Sequence, residues 1–153
     1  MTLPKRQERE ILLQLLYSQD FTSLDDEPER FAEMLEIPRA EIRAAHEKVV
    51  EILKHVGEVD ALIQKLSTEY ALDRIGRIER NILRLGGYEL LYQPHIPPKV
   101  VLAEAVRLAR KYGTPESAKF VNGVLDALYR DQMGEEGEED KMEIYWRNED
   151  PKE

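Results

Sequence analysis

Residues 99–128 read KVVLAEAVRLARKYGTPESAKFVNGVLDAL, and this stretch decides the fold class. Its apolar residues recur every three or four positions on both sides of Gly113, which is typical of two amphipathic helices. Gly113 predicts the end of the first helix, and Thr114 with Pro115 predicts the start of the second. The residues expected to face the core are Val101, Ala105, Leu108, Ala109 and Tyr112 in the first helix, and Val121, Val124, Leu125 and Leu128 in the second.

The same spacing continues toward the N-terminus. Pro4 predicts the first turn of an N-terminal helix, Pro28 a short helix, and Pro38 a long element that reaches Tyr70. Whether Gly57 breaks or only bends this long element stays open. Since no strand alternation of useful length occurs, the sequence predicts an all-α bundle of six or seven helices.

A further predicted helix, capped by Asp73 and ended before Pro94, contains two adjacent glycines. Gly86 and Gly87 each cost about 1 kcal/mol of helix stability relative to alanine. We therefore expect another backbone to approach this helix closely at the glycines.

Composition and charge suggest the domain organisation. The chain has 153 residues and a net charge of −9, and residues 134–153 contribute nine acidic and three basic residues, a net −6. We expect residues 1–133 to form one helical domain and residues 134–153 to form a disordered acidic tail. Ile144, Tyr145 and Trp146 interrupt the tail's polarity, and both docking and an unstructured state fit them.

The sequence lacks the groups that most enzyme chemistry needs. The absence of cysteine excludes disulfides, thiolate nucleophiles and cysteine-ligated metals. Phosphate-loop, zinc-helix and serine-elbow motifs are also missing, and His46, His55 and His95 are scattered. We expect a non-catalytic protein with no metal and no cofactor. The charged N-terminus has no apolar signal core and no apolar run approaches a membrane span, which predicts a cytoplasmic protein.

Basic residues are concentrated despite the overall negative charge. Between residues 74 and 119 there are nine basic and four acidic residues, a net +5. One helix face carries the arginine stripe Arg74, Arg77, Arg80 and Arg84, and the first helix begins with Lys5, Arg6 and Arg9. Arginine suits phosphate contacts and base stacking, which indicates nucleic acid. A solvated helix face with Glu79 as an ion-pair partner explains the stripe equally well.

Residues 119–126, KFVNGVLD, combine an aromatic side chain with a cation, an amide and a carboxylate. Helical spacing places Phe120 toward the side shared by Lys119, Asn122 and Asp126, which suits recognition of unpaired bases. The alternative is that Phe120 fills an edge of the core while Asn122 bonds to backbone.

Several blocks occur in a characteristic order along the chain. They are RQERE at residues 6–10 with LLY at 15–17, RNILRLGGYELL at 80–91, EAVRLARKYG at 104–113 and KFVNGVLD at 119–126. In this order they closely resemble the NusB family of bacterial transcription antitermination factors. The resemblance covers about residues 5–130, and KFVNGVLD is its most specific block.

The resemblance implies an all-helical, non-catalytic adaptor. NusB family proteins pair with NusE, a ribosomal protein of the small subunit that also works in transcription, and the pair binds the single-stranded boxA element of nascent RNA. With NusA and NusG, this helps RNA polymerase read through ribosomal RNA operons.

The family's functional residues carry over to positions of this chain. By resemblance, the RNA-binding residues are Lys5, Arg6, Arg9, Tyr17, Lys119, Phe120, Asn122 and Asp126. The residues that meet NusE are Arg84, Tyr88 and Glu89. One departure is that Gln7 and Glu8 interleave the arginine motif, which should weaken the attraction of the free protein to RNA.

Two other readings remain open, as does a homodimer. One is the NusB-like domain attached to RNA cytosine methyltransferases, although a chain ending at Glu153 leaves no room for a cofactor-binding domain. The other is a helical protein-interaction module without an RNA role.

Overall fold

Prolines mark the beginnings of four helices in the computed structural model, which describes residues 4–20, 36–67 and 75–133. Pro4, Pro38 and Pro97 immediately precede helices, and Pro115 is the first residue of another. Proline fits there because its fixed φ and missing N–H suit a helix start. The helices within these ranges are α1 (Lys5–Ser18), α2 (Arg39–Lys54), α3 (Val56–Leu66), α4 (Arg77–Tyr92), α5 (Pro98–Tyr112) and α6 (Pro115–Met133).

The architecture confirms the predicted all-α class, with six helices in the described part of the chain. The short helix expected after Pro28 and the tail 134–153 lie outside the described residues. The prediction that Asp73 caps the next helix is wrong, because that helix begins at Arg77 and Gly76 is its N-cap residue. Within the described ranges, no helix is long and apolar enough to cross a membrane.

Helix α4 is the centre of the bundle, and the other five helices, α1, α2, α3, α5 and α6, all contact it. From Asn81 to Glu89 every residue of α4 except Arg84 is buried. Apolar spacing predicted a single buried side for this helix. Because five helices contact it, burial extends around most of its circumference.

The stretch from α5 to α6 folds as its spacing predicts. Eight of the nine expected inward residues are buried, and Tyr112 is half-buried. Gly113 ends α5 by donating its N–H to the Ala109 carbonyl at 2.8 Å. Thr114 caps α6, since its Oγ1 accepts the Ser117 N–H at 3.1 Å.

The two glycines of α4 adjoin side chains, and the prediction of a close backbone is wrong. A Cβ at Gly86 would lie 2.8 Å from Leu125 Cδ1, and one at Gly87 would lie 2.8 Å from Val59 Cγ1. Residues of α6 and α3 therefore fill the space that alanine would need.

The long element predicted after Pro38 divides at His55. Helix α2 ends at Lys54 and α3 begins at Val56, so Gly57 lies in the first turn of α3. The His55 ring stacks on Tyr92 with centroids 4.0 Å apart, which holds the break against the end of α4.

Candidate nucleic-acid interface

Two of the predicted cations at the start of α1 lie on the surface. The side chains of Lys5 and Arg6 are 80% and 73% exposed. Lys5 lies 3.9 Å from Glu8, and Arg6 Nε lies 3.5 Å from Glu104 Oε2. These exposed ion pairs are weak, so both cations can contact a phosphate.

Arg9 is buried, in contrast to Lys5 and Arg6. Its Nε donates to Glu89 Oε2 at 3.2 Å, and its Nη1 lies 3.8 Å from Glu104 Oε1. Three helical positions rotate Arg9 about 60° from Arg6, which turns it toward α4 and α5. Two residues expected to serve different ligands, Arg9 and Glu89, thus bind each other.

Burial raises the pKa of the Glu89 carboxyl, and the opposing effect of Arg9 only partly offsets it. Among the described residues, Arg9 is the cation that hydrogen-bonds Glu89, and Arg9 is itself shared with Glu104. Arg9 and Glu89 together stabilise the contact of α1 with α4. Without Arg9, the buried Glu89 carboxylate would lose its cation and would destabilise the same contact.

A second ion cluster, centred on Glu10, fastens α1 to α5. Glu10 accepts hydrogen bonds from Lys111 Nζ at 2.6 Å, Arg107 Nη1 at 2.9 Å and the Tyr112 hydroxyl at 2.8 Å. Partial burial raises the pKa of Glu10, but these three donors outweigh it and lower the pKa to about 2. Sequence reasoning missed this cluster, although EAVRLARKYG contains both cations.

The arginine stripe of α4 is engaged within the protein. Arg84 binds Asp60 of α3 through Nε at 2.9 Å and Nη2 at 2.8 Å, and Arg80 lies 3.9 Å from Asp20. Glu79, the expected partner of the stripe, accepts a hydrogen bond from the Ser117 hydroxyl of α6. Arg74 lies outside the described residues. Neither predicted role of the stripe describes Arg80 and Arg84, which join α4 to neighbouring elements.

The KFVNGVLD block has an open surface around Gly123. Lys119 and Gly123 are exposed, and a Cβ at Gly123 would meet no atom within 4 Å. Asn122 Oδ1 is buried without a hydrogen-bond partner among the described residues, so its predicted bond to backbone is not seen for this oxygen. Phe120 packs partly against the core, and Asp126 pairs with Arg130 at 2.8 Å.

Tyr17 lies far from the cations that begin α1. It is half-buried near the end of the helix, twelve residues after Lys5, which is about 18 Å along the axis. The predicted RNA-binding residues therefore form separate groups on α1 and α6.

A groove of about 660 Å³ lies between α1, α2, the end of α4 and the start of α5. Tyr88 and Glu89 line it, whereas Arg84 faces α3. Its rim carries the carboxylates of Glu8, Glu47 and Glu51 beside Lys5 and Lys48, above an apolar floor that includes Leu12, Ile52 and Val100. Two of the three predicted partner-binding residues thus share one concave surface.

The described residues show no group of three or more carboxylate or histidine side chains arranged to hold a metal ion.

Comparison with known proteins shows which family the chain belongs to. The sequence profile of the NusB family matches residues 6–130. Transcription antitermination protein NusB of Trichlorobacter lovleyi is 40% identical over 126 residues, covering 81% of this chain and 89% of that protein. The protein of that name from Thermodesulfovibrio yellowstonii is 34% identical over 143 residues, covering 86% and 95%. The one from Sorangium cellulosum is 49% identical over 84 residues, which is 55% of this chain and 60% of that protein.

Solved structures share the fold. T. maritima NusB superposes with a TM-score of 0.72 at 31% identity, covering 85% of this chain and 93% of that one. A crystal structure of antitermination factors NusB and NusE in complex with dsRNA matches with a TM-score of 0.70 at 31% identity, covering 83% and 96%.

Proposed function

The chain belongs to the NusB family of non-catalytic transcription antitermination factors, and we propose that it acts as an RNA-binding adaptor. In this proposal it binds boxA-type RNA together with a NusE-like ribosomal protein. The observation that carries the proposal is the match to a NusB structure that holds NusE and RNA. With NusA and NusG, the chain would support read-through by RNA polymerase in the bacterial cytoplasm.

The proposed RNA surface begins at Lys5 and Arg6 and includes the exposed part of KFVNGVLD. Lys5 and Arg6 would contact phosphates, which supply affinity without sequence preference. At Gly123 the exposed backbone allows a strand to approach closely. The side-chain oxygen of Asn122, Oδ1, is buried beside it, so it would accept a hydrogen bond from RNA only after the side chain turns outward. Stacking on Phe120 and Tyr17 and contacts near Asp126 remain part of the proposal.

Arg9 has a different role in this proposal. Because its side chain is 8% exposed and bound to Glu89, it acts as a positioning residue that fixes α1 against α4. Its loss would change RNA binding through the orientation of α1.

The groove lined by Tyr88 and Glu89 is the proposed partner surface. The carboxylates on its rim suit a basic ribosomal protein, and its apolar floor offers area for hydrophobic contact. Arg84 would support this surface indirectly, by holding α4 to Asp60 of α3.

The charge distribution supports a joint binding mode. A chain with a net charge of −9 and a net −6 beyond residue 133 repels RNA at long range. A basic partner in the groove would reduce that repulsion, so we expect weak RNA binding by the chain alone and stronger binding by the pair.

The proposal is tested by measuring binding to boxA RNA, scrambled RNA and an RNA duplex, with and without NusE, at several salt concentrations. We expect boxA preference, a steep fall of affinity with salt, and a gain with NusE. Equal binding of boxA and scrambled RNA by the pair would contradict the proposal and favour a protein-interaction module.

Matched variants sharpen this measurement. Arg6→Gln removes an exposed cation from α1, and Lys65→Gln removes one that is 64% exposed at the end of α3. The first should weaken all RNAs about equally and the second should change nothing. Equal effects of the two variants would show that only overall charge matters.

A further inference from the structure

The α1 cation group is smaller than the sequence indicates. Of Lys5, Arg6 and Arg9, only the first two are exposed, because Arg9 is buried with Glu89. Glu8, between them, binds Lys48 of α2 at 2.8 Å and faces the groove. Two cations make a weak electrostatic site for a polyanion.

Helix α5 places further cations next to Arg6. Arg107 Nη2 donates to the Arg6 carbonyl oxygen at 3.4 Å, and its Nη1 donates to Glu10 one turn later in α1. Lys111 Nζ also donates to Glu10. Arg107 therefore contacts both Arg6 and Glu10, and Lys111 contacts Glu10, so long side chains of α5 reach the first half of α1.

The α5 cations are accessible from solvent in part. Lys111 is 54% exposed and Arg107 is 22% exposed. Arg110 is also exposed, and it lies three residues after Arg107 and hence close to the same side of the helix. Arg107 and Lys111 lie one turn apart, about 6 Å along the axis.

Two carboxylates hold these cations in position. Arg107 binds both Glu10 and Glu104, and Lys111 binds Glu10, so the two side chains are ordered and close to neutralised. The excess positive charge of this surface comes from Arg6 and Arg110, since the four cations face two carboxylates. Ordered cations lose less conformational entropy when they bind a ligand than free side chains do.

We propose that Arg107, Arg110 and Lys111 of α5 form, with Arg6, a phosphate-binding surface for the RNA strand, and supply the cations that α1 lacks. This inference rests on the proposed RNA binding and extends it to a second helix. Helix α5 ends three residues before α6 begins, so the surface leads from the start of α1 toward the end of the bundle where Lys119 lies.

RNA fits this surface better than the protein partner does. Guanidinium and ammonium groups in a row bind successive phosphates, whereas a basic ribosomal protein is repelled by them. The groove on the other side of α1 has the carboxylates that such a partner needs. On α1, Arg6 thus faces the α5 cations and Glu8 faces the groove, while Lys5 lies at the rim of the groove.

The test uses the full chain with NusE and compares three variants. Lys111→Gln and the double variant Arg110→Gln/Lys111→Gln remove α5 cations, and Lys65→Gln removes a remote one. Removing one cation that binds a phosphate should lower the slope of log affinity against log salt concentration by about 0.7. We expect boxA dissociation constants at low salt to rise about 3-fold for Lys111→Gln and about 10-fold for the double variant, with Lys65→Gln unchanged.

Partner binding and folding are measured on the same variants. Calorimetry of each variant with NusE, without RNA, should give the wild-type dissociation constant. The midpoint of thermal unfolding should be unchanged, because Glu10 still accepts hydrogen bonds from Arg107 and Tyr112.

The outcomes separate this inference from the proposal on which it rests. If the wild-type pair binds boxA and the α5 variants match Lys65→Gln in slope and affinity, the α5 surface is refuted while RNA binding stands. Loss of NusE binding in the α5 variants would assign the surface to the protein partner and also refute it. If the wild-type pair shows no RNA binding, both fail together.

Discussion

Replacing Arg9 by methionine should destabilise the fold far more than replacing its neighbour Arg6. Methionine keeps the apolar stem but leaves Glu89 buried without a cation, since its side chain is only 11% exposed. Breaking a buried pair in this way costs about 3–5 kcal/mol. Glu104 retains Arg107 at 3.0 Å, so we expect the lower end, about 3 kcal/mol, or roughly 10 °C in melting temperature.

The destabilisation should depend on pH in a defined direction. Burial raises the pKa of Glu89 in the folded state, and removing Arg9 raises it further. Between the unfolded pKa of 4.5 and that raised pKa, the folded state holds a proton that the unfolded state has released, so stability falls as pH rises. The Arg9→Met deficit should therefore be large at pH about 7.5 and shrink toward pH about 4.5.

Urea unfolding monitored by circular dichroism at both pH values measures the effect. Arg6→Met is the matched control and should change the free energy of unfolding by no more than about 0.5 kcal/mol, because Arg6 is 73% exposed. Arg9→Met/Glu89→Gln should recover about 2 kcal/mol, since the buried carboxylate that Arg9 compensated is replaced by a neutral amide, while Glu104 keeps Arg107. A loss below about 1 kcal/mol for Arg9→Met, or no recovery in the double variant, would refute the positioning role.

Three more outcomes follow from the structure. Lowering the pH from 4.5 to about 2 should remove the stability that Glu10 contributes, because its folded pKa is about 2. This loss should be about 1 kcal/mol after solvent screening, and Glu10→Gln should abolish it. An unchanged pH profile in Glu10→Gln would contradict the stabilising role of the ion cluster. Gly86→Ala should lower the free energy of unfolding by about 1–2 kcal/mol, because the added methyl group meets the buried Leu125. Gly123→Ala should raise it by about 0.5–1 kcal/mol, because nothing lies near the added methyl group. Urea unfolding measures both, and changes of the same sign would be inconsistent with this packing. Deleting residues 134–153, which carry a net charge of −6, should raise the affinity for scrambled RNA more than the affinity for boxA RNA. Filter-binding assays measure both affinities. Equal increases would argue against a tail that selectively weakens non-specific RNA binding.

Local chemistry was sufficient to predict much of the fold. Apolar residues at helical spacing identified the inward face of α6, where Val121 and Leu125 are fully buried. Proline and glycine marked helix ends because their effect on the backbone is independent of tertiary context. The stop at Gly113 and the start at Pro115 were therefore readable from the sequence.

Pairing between distant residues was not readable in this way. Arg9 meets Glu89 eighty positions away, and Arg107 meets Glu10 ninety-seven positions away. Helical spacing shows which side of its own helix a residue occupies, but not which helix covers that side. For this reason the sequence did not predict that Arg9 is buried, and it showed the basic residues of α5 without showing that Arg107 and Lys111 contact α1.

The site predictions therefore remain partly proposals. The exposed positions of Lys5 and Lys119 agree with a ligand-binding role, while the functions of Tyr17 and Asp126 rest on family resemblance. The helix break at His55 coincides with the stacking of its ring on Tyr92, and no local signal in the sequence indicates this contact.

The central position of α4 has a consequence for how the chain tolerates mutation. In a helix with one buried side, sensitive positions recur about every 3.6 residues. From Asn81 to Glu89 burial is nearly continuous, and Arg84, the exception, is held by Asp60. A saturation scan scored for folded protein should therefore show an unbroken intolerant run through this segment, and a periodic pattern in α2, where the sensitive positions are Ile42, Ala45, Val49 and Ile52.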